Sequence, residues 1–329
     1  MPFGQLVIGP PGSGKSTYCN GMYQFLNAIG RKPSVVNLDP ANDRLPYASV
    51  IDIRDFVTLE EIMDSQELGP NGSLLYAMDA IADQVESFVA QIKRLGTHEY
   101  FIFDCPGQIE LFTHHPALTK IFKRLEKELD FRLVVVNLTD SIYLTTPNQY
   151  VSVVLLALRT MLQFNLPQIN VLSKIDKLAS YGPLPFRLEY YTEVQDLDYI
   201  LESEKQSNHR YAKLTDAIAE LVSDFGLVEF HVLAVENKRS MIALLNVIDK
   251  ASGYLFGSTE IGGDSVWIDA TRQGGMYDVD IHDRWIENKD LWDTKEAEEE
   301  LQRAAQGNAS EWPLDEFDGV KAGTFGAPK

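Results

Sequence analysis

An α/β fold with a mostly parallel central sheet is what this chain predicts, and three observations point to it. Strand-length apolar runs at 5–8, 34–38, 100–103, 133–136, 169–172 and 228–233 alternate with longer amphipathic segments. The first run passes directly into Gly9-Pro10-Pro11-Gly12-Ser13-Gly14-Lys15-Ser16-Thr17, which satisfies G-x-x-x-x-G-K-[ST]. In that pattern loop amides cradle phosphates, the lysine reaches the outer ones and the hydroxyl takes a magnesium ion. Finally, carboxylates follow the ends of several runs, where an open parallel sheet binds its ligands. The expected fold is the three-layer P-loop NTPase arrangement, with a domain over 1–256, a helical insertion at about 178–209 and a largely disordered acidic tail over 257–329.

The elements follow in order. A helix is expected over 15–28, stopping at Gly30, with Tyr18, Met22 and Phe25 on one apolar face. Its unpaired first-turn N–H groups, with Gly12, Ser13, Gly14, Lys15, Ser16 and Thr17, form an anion cradle. The run at 34–38 delivers Asp39 on the ligand side of the sheet. Residues 40–47 are polar, flanked by prolines and expected to be irregular. Asp52-Ile53-Arg54-Asp55 reads as a local turn with ion pairing. Thr58-Leu59-Glu60-Glu61 reads as a capping box. One continuous amphipathic helix is expected over 73–95, from Leu74 to Ile92 along its stripe, and Asn71 or Ser73 would then be its cap.

Asp104-Cys105-Pro106-Gly107-Gln108 leaves the end of the 100–103 strand. Asp104 is either a turn residue or the aspartate that phosphate-loop enzymes use to hold magnesium through water. Gly107, having no side chain, can bring its N–H to the terminal phosphate. Gln108 and Glu110 would sit at the phosphate edge of a helix reaching toward Glu128. His114 and His115 on that helix lack the partners of a metal site and read as surface or interface residues. Cys105 reads as a packed small side chain, with no base beside it.

A buried crossover helix over 151–166, ended by Pro167, leads to the strand before Ser173-Lys174-Ile175-Asp176. An aspartate there accepts both guanine N1–H and the 2-amino group, a pairing adenine lacks; the bland alternative is a surface lysine and aspartate. The aromatic residues of 178–209, among them Tyr190, Tyr191 and Tyr199, form a satellite core or a recruitment surface over the nucleotide face. A helix over 211–225 should turn Leu214, Ile218 and Leu221 inward. After the 228–233 strand, the exit from Ala234 to Asn237 offers a backbone amide to the base carbonyl, and a helix over 240–255 closes the domain.

The net charge of -19, from 48 acidic and 29 basic residues, excludes a general nucleic-acid surface. A phosphate ligand remains compatible, since loop amides, Lys15 and magnesium supply local positive potential. The two cysteines, Cys19 and Cys105, form no disulfide framework. The phosphate loop begins at Gly9, leaving no room before it for a signal peptide, and no apolar stretch reaches membrane length. A soluble intracellular protein is expected. In the tail only a helix around 293–305 is expected, while Trp285, Trp292, Trp312 and Phe317 mark docking motifs for a partner or fold back on the domain.

Taken together, the phosphate loop, Asp39-Pro40-Ala41-Asn42, Gly69-Pro70-Asn71, the 104–110 segment and Ser173-Lys174-Ile175-Asp176 resemble the GPN-loop GTPases, most of all the second eukaryotic paralogue group. The resemblance runs from residue 2 to about 255. It implies a nucleotide-dependent dimer of the SIMIBI class, homotypic or with a GPN-loop paralogue, in which Asn71 acts in trans. It further implies GTP, GDP and magnesium as ligands, and assembly and nuclear import of RNA polymerase II as the task. Contact with polymerase subunits or assembly factors would then occur in the cytoplasm, with shuttling to the nucleus and no direct nucleic-acid or membrane contact. Ser16, and through water Asp104 and Asp39, would hold the metal; Lys15, Asp39, Gln108 and Glu110 would act in hydrolysis. Two departures stand out: Ser173 replaces the usual asparagine, and Leu233-Ala234-Val235 lacks the usual serine-alanine signature. A slow nucleotide-gated interaction module is the rival of another class, and a phosphate-loop kinase with 178–209 as its lid is a further one.

Overall fold

The computed structural model describes residues 1–96, 100–194, 197–207, 212–254 and 280–305. The strands are β1 (Phe3–Ile8), β2 (Pro33–Asn37), β3 (Ser49–Asp52), β4 (Tyr100–Asp104), β5 (Arg132–Asp140), β6 (Gln168–Ser173) and β7 (Phe230–Leu233). They form one sheet in the order β3-β2-β4-β1-β5-β6-β7, and every ladder is parallel. Register brings the functional ends together: Val7 and Asn37 both pair with Asp104, and Ser173 pairs with Asp140.

The strands are apolar along their length because helices cover both faces. Alternate residues divide between two cores. Leu6, Ile8, Phe101, Phe103 and Val135 pack with Met78, Phe88 and Phe122 on one face. Val7, Ile102, Val134 and Val136 pack with Tyr18, Met22, Phe25 and Leu244 on the other.

α1 (Lys15–Ala28) and α2 (Leu59–Gln66) match expectation, and the Thr58 hydroxyl accepts from Glu61 N. The 73–95 helix is two, α3 (Pro70–Asp83) and α4 (Val85–Leu95), broken where Gln84 leaves helical geometry. Because proline is preorganised for the first helical position, α3 starts at Pro70 with Gly69 as its cap. Neither Asn71 nor Ser73 caps the helix; Ser73 Oγ instead donates to Gly69 O at 3.1 Å. The helix expected to reach Glu128 is also split, into α5 (Ile109–Thr113) and α6 (Ala117–Leu129), since Pro116 disfavours helical geometry at His115.

α7 (Pro147–Phe164) is the crossover helix. The insertion folds as α8 (Leu178–Tyr181), α9 (Leu188–Thr192) and α10 (Leu197–Ser207). Its buried side chains, Leu188, Tyr191, Ile200 and Leu201, join Tyr150 and Val154 of α7 in a satellite core, with the Tyr150 and Tyr191 rings edge-on at 5.0 Å. It therefore forms a satellite core on α7, and its Tyr181 stands near Asp140, Lys174 and Asp176 at the exits of β5 and β6.

In α11 (Ala212–Phe225) Ala219 and Val222 face inward, whereas Leu214 is 58% and Leu221 46% exposed. The leucine spacing thus named the outer face. β3 escaped sequence reading because it is a short edge strand with Val50 exposed and only Ile51 buried. Asn237 Oδ1 accepts from Ser240 N and caps α12 (Lys238–Ser252).

The tail is more ordered than expected where it is described. A π-helical turn, Asp283–Glu287, leads into α13 (Lys289–Ala305), and Trp285 is buried beside Ile175 and Leu178. Trp285 therefore folds back on the domain. Trp312 and Phe317, the other aromatic residues expected to dock or fold back, lie outside the described residues.

One buried ion pair ties the exit of α1 to α12: Arg31 Nη1 donates to Asp249 Oδ1 at 2.9 Å, with the guanidinium 3.9 Å above the Tyr254 ring. Asp249→Ala strands that buried cation and should lower stability by about 3–5 kcal/mol in urea unfolding. Leu214→Ser should change it by no more than about 0.5 kcal/mol. A large loss at Leu214 would contradict the assigned face of α11.

Candidate nucleotide site

The phosphate loop leaves β1 through Gly9 at φ +146°, where a Cβ would lie 2.2 Å from the Leu138 carbonyl oxygen. No other residue fits there. The loop carbonyls are tied to the exit of β6: Ser173 Oγ donates to Ser13 O at 2.7 Å, and Lys174 Nζ donates to Gly12 O at 2.6 Å and to Asp140 Oδ2 at 2.7 Å. Buried Ser173 therefore serves the phosphate loop. Lys174 spans the same loop, with its Cε 3.9 Å from where a Gly14 Cβ would stand.

Gly14 caps α1 in left-handed geometry, and Gly14, Lys15, Ser16 and Thr17 line an open cleft of 880 Å³. Lys15 is nearly buried and donates to Gly9 O at 3.1 Å and Pro10 O at 3.3 Å. Burial draws its pKa down, while the Asp104 and Asp39 carboxylates pull it back up. Gly107 sits against this lysine, since a Cβ there would lie 2.9 Å from Lys15 Nζ and 3.3 Å from Pro11 Cα.

Asp104 is fully buried at the end of β4. The Tyr47 hydroxyl donates to its Oδ2 at 2.6 Å, while Oδ1 has no hydrogen-bond partner. Burial raises its pKa against the pull of Tyr47 and of the Lys15 ammonium. Asn42 Nδ2 donates to Ser16 Oγ at 3.0 Å. The irregular 40–48 segment thus engages two of the three expected metal ligands, Ser16 and Asp104, through side chains, and the third, Asp39, through the Ala41 N–H. Arg54 fixes that segment by donating to Asn42 O at 2.8 Å while paired with Asp52 at 2.6 Å, so the Asp52–Arg54 pair reaches further than a local turn. Sequence reasoning missed Tyr47, whose only signal was a lone aromatic ending a polar stretch.

Asp39 is half-buried, and its Oδ1 accepts from Ala41 N at 3.0 Å. Burial raises its pKa. Gln108 precedes α5, and its buried Oε1 has no hydrogen-bond partner. Asp39, Asn71, Gly107, Gln108 and Glu110 all line the cleft with the phosphate loop. Asn71 is exposed in the first turn of α3.

The base side is less open. Asp176 is half-buried in the turn after β6, and its carbonyl accepts from Lys289 Nζ at 2.7 Å. The expectation for Ala234 is corrected: its N–H already donates to Ser240 Oγ at 2.9 Å, within buried surroundings. His114 bonds Thr113 Oγ1 and His115 faces Asp79 at 3.5 Å, as surface residues do. Burial pushes the Cys105 thiol up, in keeping with a packing role.

Among the described residues no group of three or more His, Cys, Asp or Glu side chains could hold a metal by itself. Magnesium seldom needs such a cage, because it takes one or two protein oxygens and fills its shell with phosphate and water. The free Asp104 Oδ1 beside Ser16 suits that donor set.

Gly107→Ala should displace the Lys15 amine and weaken binding of a fluorescent nucleoside triphosphate by about tenfold or more. Wild-type affinity in that titration would mean that Lys15 does not need the space.

The chain matches, over residues 7–254, the family described as "Conserved hypothetical ATP binding protein". It is 61% identical over 306 residues to GPN-loop GTPase 2 of Saccharomyces cerevisiae, covering 91% of this chain and 88% of that protein. To GPN-loop GTPase 2 of Schizosaccharomyces pombe it is 54% identical over 303 residues, covering 91% and 96%. To GPN-loop GTPase QQT1 of Arabidopsis thaliana it is 46% identical over 258 residues, covering 78% and 87%. Its fold is similar to a GTPase in apo form from Pyrococcus abyssi, with TM-score 0.63 and 25% identity over 76% of this chain and 97% of that one. With the phosphate loop, Asp39 and Asn71 gathered at one cleft, and with relatives of this identity along most of its length, this chain belongs to the GPN-loop GTPase family.

Proposed function

We propose that the protein binds GTP and GDP with magnesium and slowly hydrolyses GTP to GDP and phosphate. The observation that carries this reading is a pair of buried acceptors without hydrogen-bond partners beside the phosphate loop: Asp104 Oδ1, on a carboxylate that interacts with the Lys15 ammonium, and Gln108 Oε1, on a residue lining the cleft. Two different bases appear in the names of similar proteins, adenine in the family description and guanine in the relatives. Asp176, on a loop tied to the phosphate loop through Ser173 and Lys174, favours guanine.

Water attacks the terminal phosphorus in line, and the bond to the bridging oxygen breaks. Gln108 Oε1 accepts from that water and orients it, with the Asp39 carboxylate polarising it and Glu110 on the same side of the cleft. Lys15 and the amides of Gly12 to Lys15 stabilise the charge on the transferred group, and the Gly107 N–H joins them. Magnesium held by Ser16, and through water by Asp104 and Asp39, would neutralise charge across the phosphates.

Asn71, with no capping duty in its own helix, reaches the nucleotide of a second GPN-loop chain, a copy or a paralogue. Exposed Leu68, Tyr76 and Ile109 near it support burial in such a pair. Through this pairing the protein serves assembly and nuclear import of RNA polymerase II, working in the cytoplasm and shuttling to the nucleus; its acidic surface suits basic partners. The reading as a timer-like interaction module draws support from Tyr47 and Asn42, whose bonds to Asp104 and Ser16 tie the 40–48 segment to the expected metal ligands. A kinase reading is disfavoured, because none of the insertion's described residues lines the cleft.

Single-turnover hydrolysis of labelled GTP should fall about a hundredfold in Gln108→Leu. An unchanged rate removes Gln108 from the chemistry. Light scattering with a GTP analogue should show a doubled mass for the wild type and a monomer for Asn71→Ala; a monomeric wild type would reject the cross-chain role.

A further inference from the structure

The segment 280–305 lies beyond the residues matched by the family model, yet it contacts the turn that carries Asp176 and the exit of the neighbouring β7. Lys289, the first residue of α13, donates through Nζ to the Asp176 carbonyl at 2.7 Å. Two turns further along, Glu296 Oε2 accepts from Asn237 Nδ2 at 2.9 Å. Residues so spaced share a helix face, so one face of α13 bridges the exits of β6 and β7.

That face is anchored from below. Arg284, its side chain 3% exposed, donates to Glu296 at 2.8 and 3.1 Å and to Asp293 at 2.7 Å. Arg239 at the start of α12 pairs with Glu296 at 3.7 Å and with Glu299. Trp285 packs in the cluster that contains Ile175, the residue immediately before Asp176. A charge-assisted bond to the Asp176 carbonyl, with Trp285 buried in the same apolar cluster as Ile175, restricts the short turn, Ile175–Lys177, that carries the Asp176 carboxylate.

We propose that residues 280–305 form a strap that sets the base-facing turn after β6 and is anchored on the exit of β7, with Lys289 as the positioning residue for guanine selection and Glu296 as its anchor. The proposal rests on the reading of Asp176 as the base selector. Unlike the tethers from Ser173 and Lys174, the strap acts on the base and leaves the phosphate loop alone.

The test uses the full chain and fluorescent GDP, measuring release by stopped flow and displacement by unlabelled GDP and ADP. Lys289→Met should speed GDP release about tenfold and narrow the preference for GDP over ADP by a similar factor, and Lys289→Arg should restore both. Glu296→Ala should act in the same direction, but it also strands Arg284, so Lys289→Met carries the test if Glu296→Ala fails to fold. Equal weakening of GDP and ADP, with a lowered Tm, would reduce the strap to a structural element and overturn the proposal. Asp176→Ala separates the two claims. If it abolishes the preference while Lys289→Met behaves as wild type, the strap is wrong and the base reading stands. If Asp176→Ala keeps the preference, the base reading falls and the strap falls with it.

Discussion

The hydrogen bonds from Ser173 and Lys174 to the Ser13 and Gly12 carbonyls are the constraint on which the site depends. A phosphate loop works only if its N–H groups point into the cleft, which obliges its carbonyls to find partners elsewhere. The end of β6 supplies them. Its place next to β5, with β5 next to β1, brings that strand end within reach of the loop. The turn that follows carries Asp176, the residue proposed to face the base. Serine in place of asparagine still makes the tie to the phosphate loop.

A second constraint is the desolvation of Lys15, Asp39 and Asp104. Burial disfavours charge on all three, and each is partly compensated by another. Tyr47 and Asn42 satisfy the polar groups that a metal would otherwise engage. The 40–48 segment is thereby tied to the floor of the cleft, and Gly107 leaves room there for the Lys15 amine.

Legibility in the sequence followed how local the determining forces are. The phosphate loop, Asp104 and the strands of the central sheet were readable because their patterns are contiguous and their burial is complete on both faces. β3 was not readable, as its pairing with β2 rather than its own composition makes it a strand. The two helix breaks were missed for different reasons. Pro116 signalled one plainly, whereas Gln84 carries no such signature. The leucines of α11 misled because a partner-free helix face can be as apolar as a packed one. Asn71 was found through its tripeptide and not through geometry, and Tyr47, Arg54 and Lys289 act through contacts across long sequence separations that no local pattern encodes.

The central claim is that one cleft unites a phosphate loop with a guanine-selecting turn. Displacement of fluorescent GDP from the wild-type protein by unlabelled GTP and ATP, in magnesium, tests it most directly. A site built to hydrogen-bond the guanine edge should require roughly a hundredfold or more ATP than GTP for equal displacement. Equal displacement by the two nucleotides would leave the phosphate loop in place and contradict the assignment of Asp176.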